Sequence, residues 1–196
     1  MTITTRDQSV PQAPELTVTV VRLEHTGHVL AALTRATTGP PPAVRLLTQS
    51  AFPLAVPGAS GLVLVPAELL TTEQLGAPRD ILAAPWRWYV DTGGEQAAAP
   101  ATPQLKPVSC PAISVGLTEG SLNVASSTTD GAAPVLALVH PTAQWGTGSA
   151  VSLQIRDALG PNGAALLGNG NVAESDEALV FVRGRPVAVY APGEID

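Results

Sequence analysis

Apolar and polar positions along this chain alternate with period two, and glycines break the alternation. In Glu177–Tyr190, Ala178, Val180 and Val182 alternate with other residues, Arg183-Gly184-Arg185 turns the chain, and Val187 and Val189 resume the pattern. Alternation on both sides of a glycine predicts a β-hairpin. The same shape occurs in Leu16–Leu33 around Gly27 and in Ala112–Ser126 around Gly120. In the first, LTVTVVRL places Leu16, Val18 and Val20 on one face and threonines on the other. Continuous apolar runs at Gly61–Val65 and Val135–Val139 read as buried strands, and Val151–Ile155 as one more. Asn162-Gly163 marks a hairpin turn between Leu159 and Leu167.

One segment breaks the period. Pro66–Leu75 (PAELLTTEQL) carries Pro at a first-turn position, Glu68 near the positive end and Gly76 as a stop, which predicts a short helix. Ser50–Ser60, with Pro53, Pro57 and Gly58, reads as an irregular crossover, and Val44–Leu47 as a short apolar run. The expected fold is all-β, either a hairpin-built sandwich or two small β-domains, with one short helix near 66–75.

The organisation along the chain follows from composition. Residues 1–14 are rich in Thr, Ser, Gln and Pro, with Ile3 and Val10 as the sizeable apolar anchors, and read as an N-terminal arm. A β-rich half spans 15–91, a Pro/Ala linker-like stretch 92–107, and a second β-rich half 108–196. The halves rhyme at an offset of roughly 90 residues, a spacing that suits a small β-domain: Val44–Leu47 falls against Val135–Leu138, and Leu62–Val65 against Val151–Gln154. A duplication and a single asymmetric sandwich both fit.

Hydrophobic residues make up 45% of the 196, enough for a core, while aromatics are 4%, so that core must be mostly Val, Leu and Ala. The 19 prolines leave little room for long helices. Net charge is −6, and no basic cluster tracks a phosphate backbone, so nucleic acid is not an expected partner. No run approaches the ~20 apolar residues of a membrane span. The first residues lack a hydrophobic signal core, and Cys110 is a single cysteine, so a cytoplasmic setting is expected.

Candidate chemistry is sparse. His25 and His28 flank a turn and His140 lies far away, so no metal site is expected and turn or surface histidines are the plainer reading. Cys110, in VSCP, has no base beside it in sequence and reads as a small apolar residue. Glu174, Asp176 and Glu177 cluster in a polar loop and read as solvated acids. Neither a nucleophile elbow nor a phosphate-binding loop is present, so no catalytic residue and no cofactor is assigned. The distinctive feature is Trp86-Arg87-Trp88-Tyr89, three aromatics in four residues of an aromatic-poor chain. On a strand Trp86 and Trp88 share a face, as core plugs, as an interface, or as a stacking surface for a ligand. Trp145, in a glycine-flanked loop, is a second aromatic candidate.

Low charge, β-rich hairpins and an arm point to a structural or assembly subunit of a larger protein particle, phage-, tail- or capsid-like, with protein partners and a homo-oligomer as the simplest case. The alternatives are a β-sandwich binding module that presents Trp86–Tyr89 to a glycan or protein, and an enzyme whose site carries no motif.

Overall fold

The computed structural model describes residues 16–34, 39–56, 59, 61–93, 102–109, 112–127, 132–142 and 148–192. In chain order the first part supplies β1 (Leu16–Leu23), β2 (Val29–Thr34), a five-residue helix α1 (Val44–Thr48), β3 (Ala51–Ala55), β4 (Leu62–Pro66), β5 (Leu70–Ala77) and β6 (Trp88–Asp91). The rest supplies β7 (Gln104–Pro107), β8 (Ile113–Thr118), β9 (Ser121–Ser126), β10 (Pro134–Pro141), β11 (Ser149–Ala150), β12 (Leu153–Ala158), β13 (Ala164–Leu167), β14 (Asp176–Val182) and β15 (Ala188–Tyr190). The fold is all-β. The three glycine-centred hairpins all form, as β1–β2, β8–β9 and β14–β15.

Everything packs around one sheet, ordered β12-β10-β14-β15. The apolar runs VLALV and ALVFV are its two inner strands, and both of their faces are buried. Leu136 sits opposite Phe181 and Leu138 opposite Leu179, so these four share one face. They meet Val21, Leu23 and Leu30 from the β2-β1-β5 sheet and Leu54, Val63 and Val65 from β3 and β4. Val135, Ala137, Val139, Ala178, Val180 and Val182 point the other way, onto Ile113, Leu122, Val124 and Leu167 of the β13-β9-β8 sheet. A strand covered on both sides needs apolar residues at every position, and that need accounts for the unbroken run in each.

β1 is also covered on both sides. Val18 and Val20 form a third cluster with Val29, Ile81 and Val90, roofed by the β6–β7 pair. The threonine face turns apolar at Val21 and Leu23 and joins the central core, and Thr19 is buried with it. β2 carries an extra residue, Leu30, opposite Val21–Arg22, which sends Val29 to one cluster and Leu30 to the other.

Several expectations change. Pro66–Leu75 is not a helix. A 3-10 turn covers Ala67–Leu69, and β5 then pairs with β1 over eight positions, from Leu16 opposite Ala77 to Leu23 opposite Leu70. A ten-residue helix is marginal alone, Thr71-Thr72 favours strand, and β1 has a second edge to fill, so the ladder wins. Among the described residues the α-helix is instead α1, Val44–Thr48, over the short apolar run Val44–Leu47. The rhyme between halves fails there, because Val44–Leu47 is helical while Val135–Leu138 is the central strand. Ser50–Ser60 contains a strand, β3, and the linker-like stretch contains β7. The Asn162-Gly163 turn forms, with Gly163 N–H donating to the Gly160 carbonyl at 2.9 Å, but its strands diverge. β12 pairs with β10 and β13 with β9. No helix among the described residues is long and apolar enough to cross a membrane.

Candidate functional site

The turn of the first hairpin anchors the site. Gly27 takes φ +80°, and its carbonyl accepts the Val90 N–H at 2.8 Å. A Cβ at Gly27 would run into the Val90 carbonyl oxygen, so glycine is required here for both conformation and space. The bridge fixes β6 against the hairpin, and His28 pairs with Tyr89 through the backbone.

His28 is neither a surface nor a turn-exposed histidine, in contrast to the sequence expectation; it is 1% exposed. Its Nε2 lies 2.7 Å from the Arg185 carbonyl and so donates to it, which leaves Nδ1 to accept from Thr26 Oγ1 at 3.0 Å. The ring stands edge-on to Phe181 with centroids 5.3 Å apart. Burial disfavours the charged ring and outweighs the Arg185 carbonyl, taking the pKa from 6.5 down to about 4. His28 is therefore neutral at physiological pH and holds the first hairpin to the last.

Above His28 and Phe181 opens a groove of about 1170 Å³. Its walls are His28–Leu30 at the start of β2, Phe52–Val56 on and just after β3, Pro85–Trp88, Pro107–Val108 and Pro186–Val187. The lining is apolar apart from His28, Asp80 and Arg87, and four prolines (Pro53, Pro85, Pro107 and Pro186) stiffen it. The volume exceeds the roughly 300–1,000 Å³ of drug-sized ligand sites.

The aromatic cluster divides at this groove. Trp86 lies on a 3-10 turn, Pro85–Arg87, and not on a strand, and the residue is 54% exposed. Trp88 opens β6, half-buried against the third core cluster. Trp86, Arg87 and Trp88 nonetheless all line the groove. Tyr89 points away, toward Gly184 and a second, smaller cavity. Ile3, Val10, Trp145 and Cys110 lie outside the described residues.

One wall is a free strand edge among the described residues, since β3 is the outer strand of the β11-β4-β3 sheet. Ala67 N–H donates to the Ser50 carbonyl at 3.1 Å, so positions 50, 52 and 54 face β4. The backbone groups of Ala51, Pro53 and Ala55 then face outward. Pro53 falls where a missing N–H costs no ladder bond. Sequence reasoning missed this wall, although the period-two spacing of Phe52, Leu54 and Val56 was its signal.

The remaining candidates sit elsewhere. His25 Nε2 contacts the Asp157 carbonyl at 3.1 Å. His140 is fully buried on β10, with Nδ1 3.2 Å from the Pro141 carbonyl. Glu177 is not a solvated loop acid; it is 3% exposed on β14, opposite His140. Among the described residues no group of three His, Cys, Asp or Glu is placed to hold a metal ion. No family model matches this chain, and no curated protein or solved structure matches it.

Proposed function

We propose that the protein is a non-enzymatic structural or assembly subunit that grips an extended segment of a neighbouring subunit, with a few apolar anchors, in the Trp86 groove. The observation that carries the reading is the coincidence of a large apolar groove, a half-exposed Trp86 on its rim and the outward-facing edge of β3 on its wall. An added strand would exchange main-chain hydrogen bonds with Ala51 and Ala55, donate to the Pro53 carbonyl and place alternate side chains in the groove. Isolated exposed edges invite such pairing. The groove's titratable groups also favour binding over chemistry, because both ring nitrogens of His28 are engaged and the ring is held neutral.

The arm, residues 1–14, is the proposed segment. The first described residue, Leu16, pairs with Ala77, three positions before Asp80 on the groove. Fourteen extended residues span up to about 50 Å, ample to reach a neighbour. Mass in solution tests the reading, measured by light scattering for the full chain and for a deletion of residues 1–14. A large species that falls to monomer on deletion, and re-forms a complex with added arm peptide, is the expected result. A monomer in both cases overturns it. A second reading, a monomeric binding module for a glycan or a foreign protein, is favoured by the same exposed Trp86, whose fluorescence would then respond to that ligand.

A further inference from the structure

On the other side of Tyr89 lies a separate cavity of about 280 Å³, beneath the Arg183-Gly184-Arg185 turn. Ser109, Ser126, Arg183 and Arg185 supply its polar lining, and Leu159 and Val182 its apolar lining. The turn is held from several directions. Ser109 N–H donates to the Gly184 carbonyl at 2.8 Å, and Arg183 N–H donates to the Pro134 carbonyl at 3.1 Å. Arg185 donates to Ser109 Oγ at 3.4 Å. A side chain at Gly184 would meet the Tyr89 ring, its Cβ 3.4 Å from the ring carbon that bears the hydroxyl.

Arg183 is the unexplained member. Its Nε is buried without an acceptor among the described residues. Buried donors are almost always paired, and an unpaired one calls for a cause. The carboxylate that feels the Arg183 charge is Asp91, but Asp91 already accepts from Lys106 at 2.6 Å. Arg183 and Arg185 thus both line one small cavity, although the chain has only ten basic residues and a net charge of −6. A guanidinium fork with a free donor matches the planar oxygens of a carboxylate or the oxygens of a phosphate.

We propose that this cavity binds a small organic anion, its carboxylate or phosphate group on the Arg183 guanidinium and its apolar body against Leu159 and Val182. The site is independent of the groove and of the assembly reading.

Calorimetric titration at matched ionic strength tests it, with benzoate, acetate, phenyl phosphate and inorganic phosphate as probes. Benzoate or phenyl phosphate is expected to bind more tightly than the matching bare ion, and the tighter of the two identifies the head group. R183Q should weaken that binding by about tenfold to a hundredfold, whereas R156Q, which removes an exposed Arg from β12, should leave it unchanged. Should R183Q melt early, R183K keeps the charge, loses the fork and is expected to bind more weakly than wild type. No binding of any probe, or undiminished binding to a folded Arg183 variant, overturns the proposal. Equal binding of bare and aromatic anions overturns the apolar half of it.

Discussion

His28 shows how one buried ring sets a pH dependence. Its pKa falls from 6.5 in the unfolded chain to about 4 in the fold. Between those values the unfolded chain binds the proton and the native state does not, so stability declines as pH drops from about 6.5 toward 4. The full loss is about 3 kcal/mol. Asp91 moves the same way for a different reason: the bond from Lys106 stabilises its charged form and holds its carboxyl below the usual range. Its stabilisation is present above the ordinary carboxylate pKa and is lost only as pH falls below that value, a more acid window than that of His28. Urea unfolding across pH 4 to 7 should therefore give a slope that His28→Gln flattens, with the variant already weaker at neutral pH. Gly27→Ala should cost at least about 2 kcal/mol in the same assay, through positive φ and the Val90 carbonyl together. Neither residue could be weighed from sequence. Gly27 was legible as a turn, but its contact partner lies 63 positions away, and nothing local to His28 signals the Arg185 carbonyl or Phe181.

At the scale of elements, the strands that were read correctly are those whose signal is local, an unbroken apolar run or a glycine turn of their own. VLALV and ALVFV are apolar at every position because both faces are covered, and the three hairpins carry their turns in their own glycines. β5 failed the same reading because its partner is β1, about fifty residues earlier. β3 was hidden by Pro53, which reads as a breaker until the strand is known to be an edge. That edge carries a prediction. Ala55→Pro removes an outward N–H and no bond to β4, so thermal stability should shift by less than about 1 kcal/mol, while capture of an arm peptide should fail. Retained peptide binding, followed by tryptophan fluorescence, would mean that the segment lies in the groove without adding as a strand.

For the whole molecule, the central β10–β14 layer shares one core with the first half of the chain and covers its other face with strands of the second half alone. The groove exists because β2, β3, Pro85–Trp88 and Pro186–Val187 meet over it. Trp86→Ala should leave the melting temperature close to that of wild type, given a residue half in solvent, and should weaken association by about 2 kcal/mol or more if Trp86 anchors the partner. Sedimentation equilibrium of the variant against wild type checks this. Period two, glycine turns and apolar runs are local properties, written wherever a strand must bury a face, so the sequence by itself determined the all-β class, the three hairpins and the doubly buried centre. Which edges pair, that Pro66–Leu75 completes the β1 sheet, that His28 is sealed under the groove, and that Arg183 and Arg185 share a cavity with Ser109 and Ser126 were decided only by the tertiary structure. Those contacts join residues far apart in the chain, and their energies arise from neighbours that no short window of sequence contains.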